Sequence, residues 1–115
     1  MEPVEINAGT WYLRSLRADD RITDVPALSD LGVDDPARYV TAADTGWADE
    51  SRFVWAICIP TTGELVAVVE LIPEGDVARL RGRARDGYAE AFDAAVGPVT
   101  RFATGMLGVT VIPAP

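Results

Sequence analysis

From Arg79 to Arg85 every second residue is an arginine, in the run Arg79-Leu80-Arg81-Gly82-Arg83-Ala84-Arg85. Seven positions thus carry four positive charges and no acid, while the other 108 positions hold 18 acids against 6 arginines. Guanidinium groups pair well with phosphate oxygens, so any phosphate contact is expected in this run; the other reading is a solvated charged loop. Glu70 closes an apolar stretch. A buried carboxylate there with a raised pKa would take a proton from an amine, whereas an exposed one would only end a strand. Cys58 alternates onto an apolar face, and with no histidine to activate it, it is expected to be a small core residue. Trp11, Trp47 and Trp55 either line a pocket or pack the core.

The absences narrow the chemistry further. The chain contains no His, no Lys and no Gln. Serine–histidine triads, histidine-ligated zinc, Schiff-base lysines and P-loop lysines are therefore excluded. The single cysteine excludes an internal disulfide and any multi-cysteine metal site. All ten basic residues are Arg, which fits a GC-rich genome. A net charge of −8 argues against a nucleic-acid partner, because such binding neutralises phosphates with basic side chains. The apolar stretches Phe53 to Ile59 and Leu65 to Val69 fall far short of the roughly 20 residues that a spanning helix needs, so no membrane partner is expected. Met-Glu-Pro-Val-Glu lacks a basic segment followed by an apolar one, and a cytoplasmic location is expected.

With 115 residues and 49% apolar content, one domain over residues 1–115 is expected. Thr10 to Arg17 reads as a first strand. Asp19 or Asp20 starts a short helix that Pro26 interrupts, with a further turn over Pro26 to Leu31 before Gly32. Asp35-Pro36 pairs an N-cap with a proline at the first helical position, which predicts a helix over Pro36 to Ala43. In Ser51 to Ile59 both alternating faces are apolar, as in a strand covered by helices on either side. Pro60-Thr61-Thr62-Gly63 turns it into a second strand, Glu64 to Leu71. Pro73 to Asp86 has no clean period and reads as a loop. Tyr88, Phe92, Ala95, Val99, Phe102 and Met106 then recur at helical spacing, either as one helix kinked at Gly97-Pro98 or as two. Gly108 ends it, Val109 to Ile112 makes a short last strand, and Pro113 and Pro115 end regular structure.

Two blocks carry a family resemblance. Ala8 to Asp20 (AGTWYLRSLRADD), together with Trp47-Ala48-Asp49-Glu50, Arg52 to Ile57 and Pro60 to Leu65, resembles the front half of bacterial members of the GNAT (GCN-related N-acetyltransferase) superfamily. Thr100 to Ala103 and Leu107 to Val109 are similar to that family's long helix and the strand after it. The resemblance implies an α+β fold: a mixed, mostly antiparallel sheet with helices on both faces, here truncated. It also implies acetyl-CoA as the co-substrate, its pyrophosphate held by a Gln/Arg-x-x-Gly-x-Gly/Ala loop at a helix N-terminus. Arg79-Leu80-Arg81-Gly82-Arg83-Ala84 fits that pattern, so Arg79, Arg81, Gly82, Arg83 and Ala84 become the cofactor-binding candidates and Glu70 the catalytic one. Gly87-Tyr88-Ala89 offers a competing alignment in which Arg85 replaces the middle glycine.

The family has a full fourth strand that pairs with the pantetheine arm, and only Leu71 to Ala78 remain for it here. The functional expectation is accordingly a reduced GNAT-like protein with lost or weakened acetyl transfer that works by binding or dimerisation. The alternative is an active N-acetyltransferase on a small amine, completed by a partner subunit. A homodimer is expected through Phe92, Val99, Phe102 and Met106 or through Val109 to Ile112, because the family continues beyond this strand and an uncovered edge invites pairing.

Overall fold

The computed structural model describes residues 1–113. Ile6–Ala8 (β1) and Trp11–Arg14 (β2) form a hairpin that turns at Gly9, whose φ of 64° favours glycine. The helix expected at Asp19 does not form. Its carboxylate instead accepts hydrogen bonds from the amides of Arg21 (2.8 Å) and Ile22 (3.0 Å), satisfying locally the donors that a helix start would have exposed. The first helix is Val25–Asp30 (α1), with Pro26 in its opening turn, where a missing N–H costs nothing.

Pro36–Asp49 (α2) begins as the sequence requires, with the Asp35 side chain accepting from Arg38 N at 3.3 Å. It runs past Ala43 because its inward face stays buried through Val40, Ala43, Gly46 and Trp47. Gly46 lets the chain pass close by: a Cβ there would lie 2.6 Å from the carbonyl oxygen of Arg52.

Phe53–Cys58 (β3) and Leu65–Glu74 (β4) are the two apolar runs, and β3 is buried on both faces throughout. β2, β3 and β4 pair antiparallel in one sheet, with Leu13 opposite Ile57 and Trp55 opposite Val69, as expected. The loop expected over Pro73 to Asp86 is instead the end of β4, a turn at Gly75, and the strand Val77–Ala84 (β5). Its period of two lay in the arginines themselves: Ala78 and Leu80 point into the core while Arg79, Arg81 and Arg83 point away. Pro73 is tolerated near the end of β4, where little of the ladder remains to lose. The fourth strand of the resemblance is therefore present.

Ala89–Phe102 (α3) is one helix with Pro98 inside it, followed by a π-helical turn over Ala103–Leu107 that Gly108 ends at φ 66°. It carries the chain across to Thr110–Pro113 (β6), which lies parallel to β5. The expectation at Pro115 lies outside the described residues. The strand order is β1-β2-β3-β4-β5-β6.

The sheet has a core on each face. One packs Trp55, Ile57, Val69 and Leu80 against α3; the other packs Val54, Ala56 and Val68 against α1 and α2. This two-faced α+β architecture matches the expected fold class. The α3 stripe mostly points inward: Val99 and Phe102 are buried, whereas Met106 is 60% exposed. The first two are unavailable to another molecule. Among the described residues no helix is long and apolar enough to cross a membrane.

Candidate functional site

Among the described residues β6 pairs with only the first half of β5. Their pairing runs from Val77 opposite Thr110 to Leu80 opposite Pro113; beyond Leu80 that edge of β5 has no partner among the described residues. A largely apolar groove of about 510 Å³ lies between β5, β6 and α3, with Leu80, Arg81, Gly82, Phe92, Val111 and Pro113 in its lining. Gly82 makes this geometry possible: a Cβ would lie 2.5 Å from a ring carbon of Phe92 and collide with the Val68 carbonyl oxygen. One turn before Phe92 of the groove lining, the chain turns through Gly87, at φ 85°, into α3. No side chain caps that helix at Tyr88, so its first amides keep their donors and the positive end of the helix dipole. Glu90 lies in the first turn. Arg85, just before it, is tied to Asp30 and Glu64, both at 3.0 Å.

The opposite face of β5 holds a polar cluster. Glu70, 6% exposed, accepts hydrogen bonds from the Tyr39 hydroxyl, from Arg52 Nη2 (2.6 Å) and from Arg81 Nε (2.6 Å). The Arg52 guanidinium also lies 5.0 Å over the Tyr39 ring. Burial alone would raise the Glu70 pKa, but the hydrogen bonds from Tyr39 and Arg81 and the charge of Arg52 outweigh it and hold the carboxyl below its usual range. Burial and the bond to Glu70 push the Tyr39 phenol well up. A cavity of about 230 Å³ adjoins this cluster, lined by Tyr39, Val68, Glu70, Arg81, Gly82 and Arg83.

The proposed site residues therefore divide between two faces. Arg79 pairs with Glu74, Arg81 with Glu70, and Arg83 donates to the Leu31 carbonyl at 3.1 Å, all away from α3. Gly82 lies under Phe92 on the α3 side, and Ala84 ends the strand. Arg79 to Ala84 lie on a strand and not in a loop at a helix N-terminus; the residues at that terminus are Gly87, Tyr88 and Ala89. Cys58 is fully buried, and burial pushes its thiol up to about 11, consistent with a packing role.

No family model and no curated protein matches the chain. Solved structures do. A Vibrio cholerae protein assigned as a ribosomal-protein-serine acetyltransferase superposes with a TM-score of 0.78 at 16% identity, covering 97% of this chain and 75% of that one. An acetyltransferase from Agrobacterium tumefaciens superposes with a TM-score of 0.63 at 15% identity, covering 95% of this chain and 71% of that one. The chain has the GNAT-type acetyltransferase fold.

In this GNAT-type sheet, β5 stands where the sequence resemblance called for a fourth strand, and α3 follows it in the chain. Tyr39 and Arg52, which complete the Glu70 cluster, were missed in the sequence. Tyr39 is 31 positions from Glu70 and Arg52 is 18. Neither stands in a motif, and only the packing of α2 on the sheet brings them together. The helix-terminal glycine did have a signal, the competing Gly87-Tyr88-Ala89 alignment, and strand–turn–helix order favours it.

Proposed function

We propose that the chain binds acyl-CoA in the groove between β5 and β6 and transfers the acetyl group to an amine. The observation that carries this reading is the largely apolar groove formed by β5, β6 and α3, with the uncapped N-terminus of α3 one turn before Phe92 in its lining. The residues present fit the group. Gly82 leaves room beneath Phe92 where a larger side chain would force that ring into the groove, and the α3 amides at Ala89 and Glu90 suit a diphosphate. When bound, acetyl-CoA supplies an activated thioester: the C–N bond to the amine forms as the C–S bond breaks, and the released thiolate takes up a proton. The chain's own part is to line the arm with Leu80, Phe92 and Val111.

One support for the reading of lost transfer was a missing fourth strand, and β5 removes that one. Weakened binding keeps some. Glu90 opposes a diphosphate at the α3 terminus, and Arg85 is already held by two carboxylates.

Calorimetric titration with acetyl-CoA tests the proposal. Binding is expected to survive Arg81→Ala combined with Arg83→Ala, since both side chains point away from α3. It is expected to weaken about tenfold or more, ~1.4 kcal/mol, in Gly82→Val. A urea curve on that variant checks that it folds, the overpacking costing about 1–3 kcal/mol. No heat with the unaltered protein, or binding that Gly82→Val leaves untouched, would sink the proposal.

A homodimer remains a proposal of its own. Its support is the outer edge of β6, which is unpaired among the described residues, with Met106 exposed nearby. Light scattering is expected to give twice 12.3 kDa, falling toward the monomer mass in Val111→Pro; a monomer mass at moderate concentration ends it.

A further inference from the structure

The cavity on the α2 side of β5 takes no part in holding the donor, and its charge is opposite to that of the chain around it. Glu70 is already engaged by Tyr39, Arg52 and Arg81. The one carboxylate, Glu70, pairs with Arg52 and Arg81, and Arg83 lines the cavity beside them, so three guanidinium groups stand against one carboxylate within a chain of net charge −8. The two arginines that line the cavity keep donors to spare. Among the described residues Arg81 gives only Nε to Glu70, leaving both terminal nitrogens, and Arg83 gives one N–H to a backbone carbonyl and pairs with no carboxylate.

Position matters as much as charge. Arg81 and Gly82 line this cavity and also the groove on the α3 side. The two spaces therefore meet at Arg81 and Gly82 of β5, with room for the donor on one side and a second substrate on the other. At about 230 Å³ the cavity has the volume of roughly eight water molecules at about 30 Å³ each, which suits a molecule of amino-acid size. Isolated surface arginines contribute little, but two that converge on one walled space can hold an oxyanion through forked hydrogen bonds.

The geometry points to an acceptor that carries an oxyanion, a carboxylate or a phosphate, beside its amine, held by Arg81 and Arg83 with the amine toward the β5 edge at Gly82. This substrate class rests on the acetyl-transfer reading above. It predicts that an amino acid or an aminoalkyl phosphate is acetylated in preference to the corresponding amide or alcohol.

Two measurements test it. In the first, succinate and inorganic phosphate are titrated separately while the backbone amide resonances are followed by NMR. Saturable shifts are expected at Tyr39, Arg81 and Arg83, and the tighter of the two probes identifies the kind of oxyanion. Arg83→Gln is expected to weaken that binding about tenfold without changing acetyl-CoA affinity. The second follows thiol release from acetyl-CoA with α-amino acids, their amides, phosphoethanolamine and ethanolamine. At least one anionic amine is expected to show a KM about tenfold below that of its neutral counterpart, and Arg83→Gln is expected to remove the difference.

Shifts at the arginines without thiol release from any amine would leave the oxyanion site standing and remove acetyl transfer. Thiol release with equal or greater preference for neutral amines would do the reverse. Absence of any shift at Arg81 and Arg83 at millimolar probe overturns the inference outright.

Discussion

Asp24→Ala is expected to lower the unfolding free energy by about 3–5 kcal/mol, the usual cost of removing one partner of a buried ion pair. Asp24 is 2% exposed and Arg14 6%. The pair is bidentate, Arg14 Nη1 to Oδ2 at 2.9 Å and Nη2 to Oδ1 at 2.8 Å. Asp24 also accepts from the Arg17 amide at 2.7 Å, and Arg14 donates to the Gly63 carbonyl at 3.0 Å. One carboxylate therefore ties together β2, the entry to α1 and the β3–β4 turn. Alanine would leave a guanidinium among apolar neighbours with its counter-charge gone. Asp24→Asn keeps the shape but not the charge and is expected to fall between the two. The exposed Arg17–Asp19 pair is the control, and Asp19→Ala should scarcely move the urea midpoint. A loss below about 1 kcal/mol in Asp24→Ala would show that water reaches Arg14 and that the pair is not the anchor described.

Trp47→Ala is expected to cost a similar amount, about 3–5 kcal/mol, for a different reason. Trp47 is 1% exposed and meets Phe53 and Trp55 edge-to-face, with ring centres 4.9 and 5.0 Å apart. Phe102 closes the cluster from α3, 5.2 Å from Trp55. The cluster joins the end of α2 to the sheet and to α3, so its loss opens a cavity where three elements meet. Trp47 Nε1 also donates to the Val54 carbonyl at 3.1 Å. Trp47→Phe keeps most of the packing and loses that N–H, and is expected to recover most of the stability. Urea unfolding followed by circular dichroism reads both variants. Equal losses in Trp47→Phe and Trp47→Ala would mean that the hydrogen bond, and not the cluster, dominates.

The sequence by itself determined the elements whose cause is local. Asp35-Pro36 started α2 because a carboxylate and a proline suit the first turn wherever they stand, and Gly63 turned β3 into β4 because glycine tolerates the positive φ required. The doubly apolar run from Phe53 demanded cover on both faces, and α3 on one side with α1 and α2 on the other supply it. Tertiary structure decided the rest. The arginine run reads as a loop in isolation because strand pairing supplies no charge signal. Ladder bonds to β4 and the burial of Ala78 and Leu80 make it β5, and that choice divides its side chains between two cavities. Glu70 showed the same dependence: burial alone would have made it a base, but Tyr39, Arg52 and Arg81, brought in from three other segments, hold it as a carboxylate. Contacts between residues 11 to 31 positions apart leave no period or motif in a single chain, because they come from packing whole elements against one another, and only the folded arrangement of those elements fixes them.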